Sequence, residues 1–219
     1  MRSPILALPI LLALPILLAG APLAAEPISF QGWSEQRFSL FQKVDYGFSS
    51  SRLSVSSDNS ASMAYRRLSA QFWDARSANW SWTVSEGVPA TDLTLKGGDD
   101  RNLSLYFVFM PEAEAQRIGD GGSIRSLLDN EQARVLVYVW GGAHGRGDVL
   151  ASPYLGPRGK TIIRRPSGTG SFSESVDLAG DYAQAFGGAA GALVGLAVSA
   201  DSDDTNSTIR GEISSLSIN

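Results

Sequence analysis

Residues 102–110 read NLSLYFVFM, and their side chains fall into two sets: Leu103, Leu105, Phe107 and Phe109, against Ser104, Tyr106, Val108 and Met110. A period of two sends neighbouring side chains to opposite sides of an extended backbone. The run therefore predicts a strand with at least one buried face. Just before it, Gly97-Gly98-Asp99-Asp100 forms a turn that sets two adjacent carboxylates at the mouth of the strand.

Other stretches carry the same period. Residues 134–140 (RVLVYVW) are apolar on both sides, which predicts a central strand covered on both faces. In residues 79–86 (NWSWTVSE), Trp80, Trp82 and Val84 share one side, and that regularity argues for a place in the core. Residues 192–200 give the last long core strand, and shorter strands are expected over 38–44, 52–56, 61–68, 161–165, 172–176 and 209–218. Turns are expected at Tyr46-Gly47 and at Asp58-Asn59-Ser60, and residues 141–157 read as an irregular, glycine-rich connection. Helical pattern is confined to residues 111–119, 123–132 and a turn or two over 181–186, ended by Gly187-Gly188. Strands and turns recurring about every 8–12 residues predict an all-β chain. The architecture expected is a single two-sheet antiparallel β-sandwich, jelly-roll-like, with one or two short surface helices.

The N-terminus calls for a separate reading. Arg2 is followed by an uncharged apolar run and then by small residues ending at Ala24 and Ala25. Those are the parts of a secretory signal peptide, so residues 1–25 are expected to be removed and 26–219 to form the β-sandwich domain. An uncleaved anchor is the rival, because residues 3–25 are long enough to span a bilayer. Pro4, Pro9 and Pro15 and the alanine-rich end favour the signal. The expected address is periplasmic or secreted, with no membrane attachment after cleavage. The formal charge of −4 falls to −5 once Arg2 is lost, which leaves no basic face for nucleic acid. With no cysteine and one histidine, thiolate zinc sites and disulfides are excluded, and any metal must be held by oxygens, calcium first among them.

Four groups of residues invite a chemical reading. Lys96, Asp99, Asp100 and Arg101 form a charged loop at the start of the central strand. Asp201, Asp203 and Thr205 place oxygen side chains at alternate positions of an acidic turn, and Glu212 completes an EF-hand-like count. Asn206 stands where that motif needs glycine, and strands flank the turn, so an EF-hand is excluded while a calcium site of another design is not. If the strand ending at Ala200 runs antiparallel beside the one starting at Asn102, the two acidic groups meet. His144, with Asp148 nearby in sequence, is a candidate general base in a glycine-rich loop. Trp140 and Tyr154 border that loop and are candidates for stacking on a sugar ring.

Several short motifs then occur in a fixed order: Trp82-x-Val84, Thr91-Asp92-Leu93, Lys96-x-Gly98-Asp99-Asp100, residues 106–109 (YFVF), Tyr138-Val139-Trp140, Ser152-Pro153-Tyr154, Asp181-Tyr182 with Phe186-Gly187, and Asp201-x-Asp203-x-Thr205. Their succession resembles a secreted bacterial family known as domain of unknown function 3047. The resemblance implies an extracytoplasmic β-sandwich and transfers no activity. Asp204 and Ser171-Phe172 stand where the family pattern has Asn and Gly-Trp. The function expected is ligand binding without catalysis, the ligand a glycan or a cell-envelope component. Two alternatives are a jelly-roll polysaccharide hydrolase or lyase using the clustered carboxylates, and a structural envelope protein.

Overall fold

A computed structural model describes residues 25–38, 43–119 and 123–219. Its strands are β1 (Glu26–Pro27), β2 (Ser34–Arg37), β3 (Asp45–Phe48), β4 (Arg52–Asp58), β5 (Ala61–Arg67), β6 (Ser77–Glu86), β7 (Arg101–Met110), β8 (Arg134–Trp140), β9 (Val149–Ser152), β10 (Gly156–Arg165), β11 (Gly170–Asp177), β12 (Ala192–Asp201) and β13 (Thr208–Ile218). Three short helices join them: α1 (Glu112–Ile118), α2 (Ile124–Leu128) and α3 (Leu178–Phe186). No helix of the described residues is long and apolar enough to cross a membrane.

Two sheets face each other. One runs β11-β6-β13-β4-β3 with β1 beside β13, and the other runs β2-β5-β12-β7-β8-β10-β9. This is an all-β, jelly-roll-like sandwich with few helices. Strand β7 lies in the middle of the larger sheet, and its alternation holds as read. Leu103, Leu105, Phe107 and Phe109 enter the space between the sheets, while Tyr106, Val108 and Met110 join a second apolar cluster on the outer face. Strand β8 is buried on both faces in the same way.

The inner core is aromatic. Trp80 lies 5.4 Å from Trp82 with the ring planes at 85°, and 5.6 Å from Tyr138. Trp82 in turn lies 5.6 Å from Trp140. The indole N–H groups of Trp80 and Trp82 find no hydrogen-bond acceptor among the described residues. Along β13 the inward set changes from Ile209 and Ile213 to Leu216 and Ile218. A bulge at Ser215, with φ 54°, shifts the register by one and keeps apolar residues inward on both sides of it.

The outer face of the larger sheet is partly roofed by α1 and α2, which lie in the chain between β7 and β8. Ala115, Ile124 and Leu127 pack there against Val108, Met110 and Val135. Ser123 caps α2 by accepting the Ser126 N–H. Gly195 on β12 lets α2 come close, since a Cβ there would meet Leu127 at 3.3 Å.

Several expectations need correction. The sandwich is not wholly antiparallel, because β10 runs parallel to β8. After β8 the chain leaves through residues 141–148 and forms β9 at the sheet edge. It then turns back, so that β10 fits between β8 and β9. Part of the connection expected to be irregular is thus strand, its backbone donors and acceptors taken up by that return. Tyr46-Gly47 is not a turn but part of β3, and the chain reverses over residues 49–51, where the Ser49 N–H donates to the Arg52 carbonyl at 2.9 Å. Gly47 is tolerated on this edge strand because its missing side chain leaves room for Ser54 opposite. Of the strand expected over 38–44, residues 39–42 lie outside the described residues, and Phe38, Lys43 and Val44 belong to no strand.

Phe107 is buried without exposure and touches Trp80 and Tyr138, so Phe107→Ala removes an aromatic from the centre of the core. The expected loss is about 3–5 kcal/mol of unfolding free energy. Urea denaturation followed by tryptophan fluorescence measures it.

Candidate functional site

Pairing of β7 with β12 brings the two acidic segments together. The strands run antiparallel, and a register shift near the end sets Asp201 opposite Arg101. The turn that follows, residues 201–207, is fixed from two sides. Ser202 is buried beside Ser57 and Ser60, with Oγ–Oγ separations of 2.9 Å for Ser57–Ser202 and Ser57–Ser60. On the other side the Asp100 carboxylate, with no exposure, accepts the backbone N–H of Thr205 at 2.7 Å, the Thr205 hydroxyl, and the Asp204 N–H at 3.3 Å. Asp100 therefore acts as a bracket. Asn206 closes the turn with φ 50°, a conformation that asparagine tolerates better than most residues.

Beside this turn a pocket of about 590 Å³ opens on the outer face of the larger sheet. Met63, Tyr106, Val137 and Thr161, contributed by β5, β7, β8 and β10, make its floor. Leu93 and Asp99 line it from the loop before β7, Ile124, Leu128 and Asp129 from the α2 region, and Tyr154 and Leu155 from the β9–β10 turn. Asp201, Asp203 and Asp204 complete it. The result is an apolar floor meeting a charged wall, which is the usual constitution of a small-molecule site.

Arg101 organises the wall. Its Nη1 meets Asp99 Oδ2 at 2.8 Å and Asp201 Oδ2 at 3.1 Å, its Nε donates to Ser104 at 2.9 Å, and its Nη2 donates to the Tyr106 hydroxyl at 3.1 Å. Tyr106 also lies 3.1 Å from Ser199 Oγ. Asp99 is taken up on its other oxygen by the Tyr154 hydroxyl, which donates at 2.8 Å. Burial, then the hydrogen bond to Asp99 and that residue's charge, push the Tyr154 phenol up to about 12. Tyr154 as a residue is nevertheless 58% exposed, with the Lys96 ammonium 5.5 Å from its ring centroid. Asp201 is the most strongly perturbed acid of the group, and burial followed by the charge of Asp100 raises Asp204 as well. At Asp201 burial outweighs the attraction of Arg101, a hydrogen bond with Asp203 adds to the effect, and the carboxyl rises to about 8.

Asp99, Arg101, Tyr154, Asp201 and Asp203 thus converge on one pocket, as the antiparallel placement of the two strands predicts, with Lys96 above Tyr154 at its edge. The other residues singled out do not line it. Asp100 lies behind the wall, and Thr205 spends its hydroxyl on Asp100. Trp140 is 1% exposed, packed between Trp82 and Phe172, so neither ring face is open to a sugar. Its position in β8 puts it in the inward set. His144 accepts the Leu93 N–H on Nε2 at 3.2 Å and stands 3.3 Å from Asp92. It ties the 141–147 loop to the segment before β7, while Asp148 accepts the Gly145 N–H instead of facing the imidazole. Residues missed in the sequence are Met63, Tyr106, Val137 and Asp204. The outward half of the β7 alternation already contained the signal for Tyr106.

For a metal, the carboxylate oxygens of Asp100, Asp203 and Asp204 come within 4.8 Å of one another, an all-oxygen set of the kind calcium uses. The set differs from Asp201, Asp203 and Thr205. Asp201 faces Arg101, and Thr205 donates to Asp100.

Comparison with known proteins adds the following. The sequence profile of a family described as Protein of unknown function (DUF3047) matches residues 31–217. None of the curated proteins matches the sequence. Among solved structures, the xyloglucanase domain of NopAA, a type three effector from Sinorhizobium fredii in complex with cellobiose, is 9% identical with a TM-score of 0.46, covering 85% of this chain and 92% of that one. A loop-swap mutant of Necallimastix patriciarum Xyn11A is 10% identical with a TM-score of 0.39, covering 85% and 99%. An endo-1,4-beta-xylanase of Trichoderma reesei is 12% identical with a TM-score of 0.37, covering 90% and 99%. At these values the structures assign no role to any residue here.

Two outcomes follow from the geometry. Asp100→Asn weakens the bracket on the acidic turn, and the expected loss is about 1–3 kcal/mol in urea denaturation. Asp201 keeps its proton in the fold up to about 8, whereas 3.8 is the ordinary value. Its contribution to stability is complete below the lower value and is lost as pH rises through the upper one. Relative to Asp201→Asn, which cannot ionise, the wild type should lose stability progressively across that window and then level off, as urea midpoints against pH will show.

Proposed function

The chain belongs to the family described as Protein of unknown function (DUF3047), and from this premise we propose that it is an exported protein whose outer-face pocket binds a glycan without chemical conversion. One observation carries the proposal: the exposed Tyr154 ring stands at the edge of a half-apolar pocket, its hydroxyl held by Asp99. A pyranose presents an apolar face and a rim of hydroxyls. The ring of Tyr154 suits the first, and Asp203, Asp204 and Arg101 suit the second. Fixing the phenol through Asp99 and Arg101 reduces the freedom lost on binding. Export rests on the N-terminal run read above, and signal cleavage near Ala25 is part of the same proposal.

Calorimetric titration with oligosaccharides chosen from a glycan array tests this. Tyr154→Ala should weaken binding by about tenfold, or roughly 1.4 kcal/mol, with the fold intact by circular dichroism. Unchanged affinity in that variant contradicts the proposal.

A second reading has its own observation, the proton that Asp201 holds beside Asp203. A glycoside hydrolase uses a carboxyl held protonated as general acid, with a second carboxylate about 5–10 Å away across the bond, so Asp203, hydrogen-bonded to Asp201, is too near to be that second group. Release of reducing ends from a polysaccharide, abolished in Asp201→Asn, would establish hydrolysis in place of simple binding.

A further inference from the structure

The charges of the pocket point to a narrower class of ligand. Its lining holds five carboxylates, those of Asp99, Asp129, Asp201, Asp203 and Asp204, against the two guanidiniums of Arg101 and Arg125. Asp99 is matched by Arg101 at 2.8 Å and closed off by Tyr154, so it adds little to the field felt by a ligand. Asp203 and Asp204 are exposed, and neither forms an ion pair among the described residues. Lys96 is a further cation, and it stands over the Tyr154 ring instead of in the lining. With Lys96 counted and Asp201 protonated, four carboxylates still face three cations. The apolar floor around Met63 and Val137 concentrates that field, because a low-dielectric wall screens it less than water does.

We infer that the pocket selects a glycan bearing a free ammonium group, an amino sugar unit seated with its ring on Tyr154 and its ammonium between Asp203 and Asp204. The inference rests on the glycan-binding function proposed above and narrows it. A neutral glycan would offer these two carboxylates only uncharged hydroxyl donors, and a uronic acid would bring a like charge against them. An ammonium supplies up to three donors, and two exposed carboxylates on a braced turn can accept them without rearrangement. The bracing comes from Asp100 and Ser202, neither of which lines the pocket.

Three trisaccharides separate the possibilities: the β-1,4-linked glucosamine trimer, its N-acetylated counterpart and cellotriose. Their rings are alike, and only the first carries ammonium groups. Calorimetry at pH 6 and moderate salt should give the glucosamine trimer at least tenfold tighter binding than either of the others. The double variant Asp203→Asn, Asp204→Asn should shrink that preference to less than threefold, with a larger loss of affinity for the glucosamine trimer than for cellotriose. Equal binding of glucosamine trimer and cellotriose overturns the amino-sugar inference and leaves glycan binding standing. So does a preference for trigalacturonate, titrated beside them as a fourth ligand. Cellotriose binding that appears only with calcium and vanishes with chelator also overturns it, because the carboxylates then serve a metal. If no oligosaccharide binds at all, the proposed function itself fails.

Discussion

Strand β7 is buried on both faces, and that constraint organises the rest of the molecule. Its inward aromatics require a second sheet, and β6 answers with Trp80 and Trp82. Its outward residues require a partial roof, which α1, α2 and the loop before the strand provide. The roof is incomplete near the start of the strand. There the outward set turns polar, with Ser104 and Tyr106, and the space left uncovered is the pocket. Core and site are thus two sides of one ladder of alternating residues. A one-residue slip of β7 would exchange them, which is why register here is strongly specified.

The charged wall depends on a single guanidinium. Arg101 touches Asp99, Asp201, Ser104 and Tyr106 at once, so one side chain joins the mouth of β7 to the end of β12 and to the pocket floor. Two segments far apart in sequence are held in one geometry before any ligand arrives. Such preorganisation favours binding with little adjustment. The arrangement is costly in isolation, since burial penalises a charged carboxylate and neighbouring carboxylates repel it, and the proton retained by Asp201 is how the fold relieves it. Asp100 completes the frame by using its whole carboxylate on the backbone and hydroxyl of the acidic turn, a structural task that leaves Asp203 and Asp204 facing outward.

Much of this was legible in the residues. Alternation in the 102–110, 134–140 and 192–200 runs gave the strands that form the centre of the larger sheet, and their pairing put Asp99 near Asp201. Other features were not legible because they depend on neighbours distant in sequence. The parallel fit of β10 beside β8 follows from the return of the chain through β9, a short edge strand whose residues lack strong periodicity. Gly47 reads as a turn residue in isolation, and only Ser54 across the ladder explains its place in β3. Trp140 and Tyr154 look equivalent as aromatics beside a glycine-rich loop. Inward parity in β8 buries one, and the β9–β10 turn exposes the other. Asp100 and Asp203 are equally acidic on paper, and only the fold separates a bracket from an open carboxylate.

The central claim is that the open side of β7 receives a ligand against Tyr154 and the acidic turn. A crystal structure of the protein with an oligosaccharide that it binds tests this most directly. The expected result is a sugar ring stacked on Tyr154, with a polar atom of the sugar within hydrogen-bond distance of Asp203 or Asp204. A ring seated elsewhere, for example along the exposed edge of β11 near Phe172 with the pocket beside Tyr154 left unfilled, would contradict it.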